Sequence, residues 1–405
     1  MATRTIENQH LLAARIEPAH FYTAVCHASA NISSVTWNNQ RSAFTIDFNG
    51  SEHELDGLLD LLKQKIGRPI VNSAPVVTYA READSARVHT GVWEDLCRTG
   101  MIVDFGEGHV ALGGLFLELV ERLDSALKKI AAGLHAQPVQ LPNMVPLAYV
   151  KQAGIFEQHP DQLFFATPLV SDVERIENFQ TAVKSNANSS LKHYLSDPEY
   201  CLKTSACSFL YPMLKDTDFE APAYFTMLGA CTRHEAKGTN SLERLTEFNM
   251  REIVFLGNEQ GAQNFQHFSL DLFRDVLECF DLHGRITTAN DSFFVSNYSR
   301  LRLMQLLGSE KFEAQVLLPE TNAEIAIGSV NHHRQFFSRR FGLSYRGAPA
   351  TTACVGFGLE RLVYALFCRH GIASTELPAM IDRFLEHSVS KQTPKEAYKT
   401  AACPQ

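Results

Sequence analysis

The stretch from Thr351 to Gly371, TTACVGFGLERLVYALFCRHG, constrains the fold most. Small residues run into Gly356-x-Gly358, then at once into Glu360-Arg361 and an apolar helix from Leu362 to Phe367. Glycines ahead of a helix let backbone come close to a ligand, and an arginine in the first helical turn reaches a bound phosphate. Such a corner is common by itself, so its meaning depends on what accompanies it. Upstream lies a second charged constellation: Thr232-Arg233-His234-Glu235, a polar loop, then Arg244-Leu-Thr-Glu-Phe248 and Met250-Arg-Glu252.

The chain has 405 residues, room for a core of roughly 300 residues and a smaller attached unit. At 45% hydrophobic and 20% charged residues it has the composition of a globular protein. No apolar run approaches the ~18 residues of a membrane span, so no membrane association is expected. The start, MATRTIENQHLLAARIEP, lacks the apolar centre of a signal peptide. Nine scattered cysteines suit a reducing compartment better than a disulfide scaffold, and the expected location is cytoplasmic. A net charge of −8 weighs against a large nucleic-acid footprint, which needs clustered Lys and Arg.

Residues 1–85 read as a small α/β unit of unassigned role. Ala43 to Phe48 alternates as a strand and ends at Asn49-Gly50, a turn signal. Ser51 and Glu54 have capping-box spacing ahead of an apolar helical face that Gly67 closes. Val76 to Tyr79 is a second short strand. Residues 86–388 form the larger domain. It opens with a hairpin from Met101 to Leu112 and a helix whose apolar positions run from Leu115 to Ile130. Residues 268–310 are helical in pattern, Glu313 to Pro319 and Glu324 to Ile327 are strand candidates, and 389–405 is a polar, mobile tail.

Together the two charged constellations resemble motifs 2 and 3 of class II aminoacyl-tRNA synthetases. The helix after residue 114 and the segment Leu141-Pro142-Asn-Met-Val-Pro146 look like motif 1, which builds a dimer in that family, though a core helix needs no dimer. The resemblance implies an α+β fold: an antiparallel sheet flanked by helices, with a small N-terminal α/β unit attached. It implies activation of an amino acid by ATP. Charge builds on the phosphates in that reaction, so the site needs fixed cations, a metal and a grip on adenine. On this reading Arg233 clamps the α-phosphate and the incoming carboxylate, since its planar fork suits both. Glu235 accepts from the adenine amino group, Phe248 offers a stacking face, Arg244 belongs to the ATP site, and Arg361 closes it from the other side, over adenine or the γ-phosphate. Glu313 and Glu324 have the oxygen chemistry to hold Mg²⁺.

Within class II the likeness is strongest to seryl-tRNA synthetase, through Arg233-His-Glu-Ala…Arg244-Leu-Thr-Glu-Phe248-Asn-Met-Arg-Glu252 and Phe336-Phe-Ser-Arg339-Arg340. Glu324, followed by Ser329 and Asn331, fits that family's glutamate…serine-asparagine segment with a one-residue shift, and Ser329 and Asn331 would bind the amino acid with Glu252. The archaeal type of that enzyme, and the related amino acid:[carrier protein] ligases, hold Zn²⁺ with cysteine, glutamate and cysteine. Here those ligands would be Cys207, Glu252 and Cys354. Three protein ligands leave a position open for the substrate's α-amino group. Without the resemblance both cysteines read as buried apolar residues. Cys201 and Cys231 read as packing, and His332 and His333, adjacent on a strand, face opposite ways and cannot chelate together.

Two acceptors share this chemistry. A bacterial-type seryl enzyme grips tRNA with a long coiled coil, and residues 1–135 hold no apolar helical pattern much beyond ~20 residues. The likeness to carrier-protein ligases runs over about residues 90–388. It implies transfer of a small amino acid, glycine or alanine, to the phosphopantetheine thiol of a small acidic carrier protein, with tRNA not expected as a partner. Arg300 and Arg302, on an expected helix between motifs 2 and 3, would steer that carrier. The alternatives are seryl-tRNA synthetase-type aminoacylation and an inactive paralogue serving as a regulatory subunit.

Overall fold

The computed structural model describes the chain except residues 15, 39, 67–74, 83–88, 186–190, 240, 290–309 and 392–405. Arg300 and Arg302 therefore lie outside the described residues. So does the tail from 392; the helix before it runs to Ser390, past the expected boundary at 389.

The N-terminal unit is a three-stranded antiparallel sheet in the order β1 (Ala2–Glu7), β3 (Ala43–Phe48), β2 (Ile32–Trp37). Helices α1 (Pro18–Cys26) and α2 (Glu52–Ile66) complete it. The capping box forms as its spacing implies: Glu54 Oε2 accepts from the Ser51 N–H at 2.8 Å, and Ser51 Oγ accepts from the Glu54 N–H at 3.3 Å. Phe21, Val25, Phe44, Ile46, Leu55 and Leu59 give the unit its own core.

Among the described residues the large sheet has eight strands. In spatial order they are β4 (Val77–Arg81), β8 (Gly284–Thr288), β9 (Lys311–Leu318), β10 (Ala323–Arg334), β11 (Thr351–Gly358), β7 (Glu247–Gly257), β6 (Ala223–Thr232) and β5 (Gln137–Pro138). All pairs are antiparallel except β5 with β6. Two expectations need correction. The strand expected at Val76–Tyr79 does not join the N-terminal sheet; it pairs with β8 at the edge of the large one. Residues 268–310 are not helical throughout, because the helix α4 (Glu259–Cys279) ends near Phe280 and β8 follows. The run Gly284-Arg-Ile-Thr-Thr288, rich in β-branched residues, favours a strand.

One face of this sheet carries helices α3 (Gly114–Gly133), α4, α5 (Leu359–His370) and α6 (Leu377–Ser390) over the main core. The other face is partly open. Strand β7 shows the division by its period of two: Ile253 and Phe255 join the helix-side core, whereas Val254 and Leu256 join the opposite cluster with Cys207, Phe225, Met227 and Cys354. Arg251, on the helix side, makes a bidentate pair with Asp124 of α3, with both N–O distances at 2.7 Å. This contact ties the long helix to the centre of the sheet.

Candidate active site

The sheet register builds the site. Met227, Glu252, Gly356, Ser329 and Glu313 are partners on successive strands, so they form a row across the open face. The row works because Gly356 has no side chain: a Cβ there would lie 2.8 Å from Met250 Cε and 3.4 Å from Glu252 Cγ. A cavity of about 930 Å³ opens above it. Of the residues singled out in the sequence, Cys207, Arg233, Phe248, Glu313, Ser329, Asn331 and Arg361 line that cavity.

The charged end is built from both constellations. The Arg233 guanidinium lies over the Phe248 ring, 5.2 Å from its centroid, while its Nε donates to the Thr204 carbonyl at 3.0 Å. Arg361 enters in the first turn of α5 and donates to the Ala326 carbonyl at 3.1 Å. Arg244 stands beside the cavity, 3.5 Å from Glu235. Burial, followed by the nearby positive charges of Arg244 and Arg233, pulls Arg361 down to about 10. Burial is the larger cause, and Glu235 and Glu313 partly offset the neighbouring guanidinium charges. Glu360, next in sequence to Arg361, is buried and accepts from the Asn249 backbone and side chain at 2.8–3.0 Å. It takes up β7 where pairing with β11 ends at Met250–Gly358, and so fixes the corner of α5 against Phe248.

Glu324 does not join this end. Leu317, four residues along β9 from Glu313, is its cross-strand partner, which puts it roughly 13 Å from the Glu313–Ser329 row at ~3.3 Å per residue. Its carboxylate pairs with Arg285 and is 42% exposed. The expected sharing of one ion by Glu313 and Glu324 is therefore corrected: the oxygen donors that face each other are Glu313 and Ser329, with Lys311 Nζ 3.1 Å from Glu313.

At the inner end, Cys207, Glu252 and Cys354 are neighbours, as the resemblance implied, but their polar atoms are already engaged. The Glu252 carboxylate accepts from the N–H groups of Ala206 and Cys207 at 3.0 and 3.1 Å. The thiols of Cys207 and Cys354 contact each other, which holds Cys354 well below the usual thiol range and raises Cys207. Burial pushes Glu252 up to about 7. Asn331 Nδ2 lies 3.4 Å from Cys354 Sγ, and His333 Nε2 lies 3.6 Å from it. Among the described residues no three His, Cys, Asp or Glu side chains are arranged to hold a metal ion. The donor chemistry suits zinc; the arrangement does not supply a ready coordination sphere.

Sequence reasoning missed four participants. His333, set aside with His332, turns to the thiols and lies 3.4 Å from both Tyr211 Oη and Thr352 Oγ1. Lys203 is buried behind Glu252, accommodated by Gly229, where a Cβ would come within 2.8 Å of its Nζ. His159 and Gln162 line the cavity from a loop whose Gln162 carbonyl accepts from the His234 N–H at 3.0 Å. A lone lysine or histidine gives no pattern in sequence, because only the fold brings it to the site.

Residues 192–370 match the family described as the tRNA synthetase class II core domain (G, H, P, S and T). The type-2 serine–tRNA ligase of Methanopyrus kandleri is 27% identical over 312 residues, 72% of this chain and 59% of that protein. The amino acid–[acyl-carrier-protein] ligase 2 of Bradyrhizobium diazoefficiens is 29% identical over 263 residues, 64% of this chain and 76% of that protein. A crystal structure of the M. kandleri seryl-tRNA synthetase with an Aquifex aeolicus tRNA superposes with a TM-score of 0.68 at 22% identity, covering 91% of this chain and 77% of that one. The chain thus spans about three fifths of the archaeal ligase's length.

Proposed function

We propose that this chain, of which residues 192–370 match a class II tRNA synthetase core domain and which is similar to type-2 serine–tRNA ligases and amino acid–[acyl-carrier-protein] ligases, activates a small amino acid with ATP and passes it to a carrier protein's phosphopantetheine thiol. Glycine and alanine are the favoured substrates. The observation that carries this reading is the gathering of Arg233 and Arg361 at one end of a single cavity that Glu313 also lines, with the Arg244–Glu235 pair beside it and close enough to act on Arg361.

In the first half-reaction a carboxylate oxygen of the amino acid bonds to the α-phosphorus of ATP. The bond to the β-phosphate breaks, and pyrophosphate leaves with its electron pair. Arg233 stands where it can neutralise both the carboxylate and the α-phosphate, and Arg244 and Arg361 take the outer phosphates. Phe248 supplies the face for adenine and Glu235 an acceptor for its amino group. Glu313, released from Lys311, and Ser329 would hold Mg²⁺, a hard cation that takes oxygen ligands and keeps waters. In the second half-reaction the acceptor's sulfur bonds to the acyl carbon, AMP leaves with the bonding pair, and the thiol proton goes to solvent or phosphate.

Ser329 and Asn331 reach the substrate end of the cavity, with Glu252 behind them. On donor chemistry we also assign Zn²⁺ to Cys207, Glu252 and Cys354, to be tested by metal analysis of the wild type beside the Cys207→Ala and Cys354→Ala variants. Undiminished zinc in both variants would remove the assignment, and adenylation by the residues above would stand without it. A homodimer through residues 114–146 is part of the same proposal, and light scattering of the purified protein tests it.

The deciding experiment is ATP–pyrophosphate exchange with glycine, alanine and serine, followed by transfer assays with a phosphopantetheinylated carrier protein and with tRNA. Exchange with glycine or alanine and label on the carrier are expected. Label on tRNA alone would establish the archaeal-ligase reading, and absence of exchange with any of the three would point to the regulatory paralogue.

A further inference from the structure

The N-terminal unit does not dock on an inert surface. It meets the loop between β6 and β7, which carries Glu235 and Arg244, and the contacts converge on two adjacent residues. Arg244 places Nη1 and Nη2 at 3.4 and 3.5 Å from the Thr23 hydroxyl of α1. Its neighbour Glu243 is buried and accepts from Arg41 on one side and from Thr321, in the turn between β9 and β10, at 2.9 Å on the other. Glu243 thus bridges the small unit and the large sheet. Arg41 is itself held: its guanidinium lies 5.8 Å from the centre of the Trp37 ring, and its carbonyl accepts from Asn8 Nδ2 at 2.7 Å.

The rest of the loop is shaped to receive α1. Ala236, at φ 47°, packs on the N-terminal core. Gly238 lies so close that a Cβ would stand 3.0 Å from Arg244 Nη1 and 3.4 Å from Cys26 Sγ. His27 meets His234 edge-on, with ring centroids 5.5 Å apart.

We propose that the N-terminal unit is a positioning element for the nucleotide site, in which Thr23 and Arg41 hold the 233–246 loop so that Arg244 stands ready beside Arg233 and Arg361. This rests on the assignment of those arginines to ATP. The physical reason for such a brace is entropy. A long arginine on a mobile loop must be frozen when it binds phosphate, and that ordering subtracts from affinity. A loop braced in advance by a hydroxyl and a bridged carboxylate has met the cost during folding. Ligand parts that Arg244 does not touch gain nothing from the brace.

The test uses the full chain, with calorimetric titrations of ATP and of AMP, which need no knowledge of the amino acid. The variants are Thr23→Val, Thr23→Ser and Arg41→Met, with Arg361→Ala as the marker of the site itself. The expected result is an ATP dissociation constant raised about tenfold in Thr23→Val and Arg41→Met, equivalent to ~1.4 kcal/mol. AMP affinity should stay within about twofold, and Thr23→Ser should restore ATP binding. Equal weakening of ATP and AMP, or wild-type ATP binding in Thr23→Val while Arg361→Ala loses it, would overturn the brace and leave the nucleotide site standing. Wild-type ATP binding in Arg361→Ala would overturn the assignment of the site, and the brace with it.

Discussion

Breaking the pair between Arg251 and Asp124 should weaken the whole larger domain. The Arg251 side chain is 6% exposed and Asp124 18%, and the guanidinium fork meets both carboxylate oxygens at 2.7 Å. Two unit charges ~4 Å apart attract by about 4 kcal/mol at the effective dielectric of ~20 that suits protein sites. Arg251→Met removes that attraction and leaves the Asp124 carboxylate unpaired between α3 and the sheet, a change that costs ~3–5 kcal/mol in comparable cases. Set against a total stability of ~5–15 kcal/mol, this is a large fraction. The opposing term is the desolvation of both charges, which the fold has already met. The double variant Arg251→Met/Asp124→Leu removes both charges and fills the space, so it should recover to within ~1–2 kcal/mol of wild type. Urea unfolding followed by circular dichroism reads these differences as shifts in midpoint at constant slope. A loss below ~1 kcal/mol for Arg251→Met would refute the reasoning, as would a double variant that falls by the sum of the two single ones.

Gly328→Ala should be among the most damaging small substitutions, since its Cβ would sit 2.5 Å from the Gly356 carbonyl and 2.5 Å from Phe273 Cζ. Overpacking of this kind costs ~1–3 kcal/mol, and thermal unfolding together with ATP titration should show stability and nucleotide binding lost in step. Asn331→Ala and Ser329→Ala should raise the KM for the amino acid about tenfold in pyrophosphate exchange, ~1.4 kcal/mol each, and leave the KM for ATP nearly unchanged in Asn331→Ala. His27 gives a dependence on pH. Burial, with His234 beside it, lowers it from the ordinary value to about 4 despite Glu235 nearby, and Arg244 adds to the lowering. The unfolded chain therefore binds a proton more readily than the folded one between pH 4 and 6.5, so stability should fall as pH drops through that window and level off below it. His27→Asn should flatten this part of the profile in urea midpoints; an unchanged profile would count against it.

What the sequence revealed and what it concealed follow from the range of the interactions. The corner from β11 to α5 is a local signal, and glycine, helix periodicity and charge agree there within some twenty residues. The capping box at Ser51 and Glu54 is local for the same reason. Phe248 and Glu252 could be paired in advance with Arg233 because one hairpin joins them. Glu324 misled because its strand was visible and its register was not. A bulge between Ala314 and Gln315 shifts the pairing with β10, and a shift of register moves a residue along the face without altering the sequence pattern. β4 was assigned to the wrong sheet because a short strand carries no mark of its partner. Lys203 and His333 were invisible for a deeper reason: their neighbours, Leu141 and Gly229 for the lysine and Tyr211, Thr352 and Cys354 for the histidine, lie far from them in sequence.

The same register explains why fold and chemistry can be perturbed separately. On β7, Arg251 faces α3 and Glu252 faces the cavity, so adjacent residues serve opposite sides of one strand. Residue by residue the strand alternates between holding the helices and lining the site. The two ends of the cavity meet where Arg233 sits, since its Nε holds the Thr204 carbonyl, three residues before Cys207, and its guanidinium covers Phe248. Under the proposed function, an amino-acid carboxylate arriving from the thiol end and an α-phosphate arriving from the arginine end would share that one cation. Bringing both anions to a single guanidinium lowers the repulsion that otherwise keeps them apart, and electrostatic positioning of this kind is what adenylate formation asks of a protein.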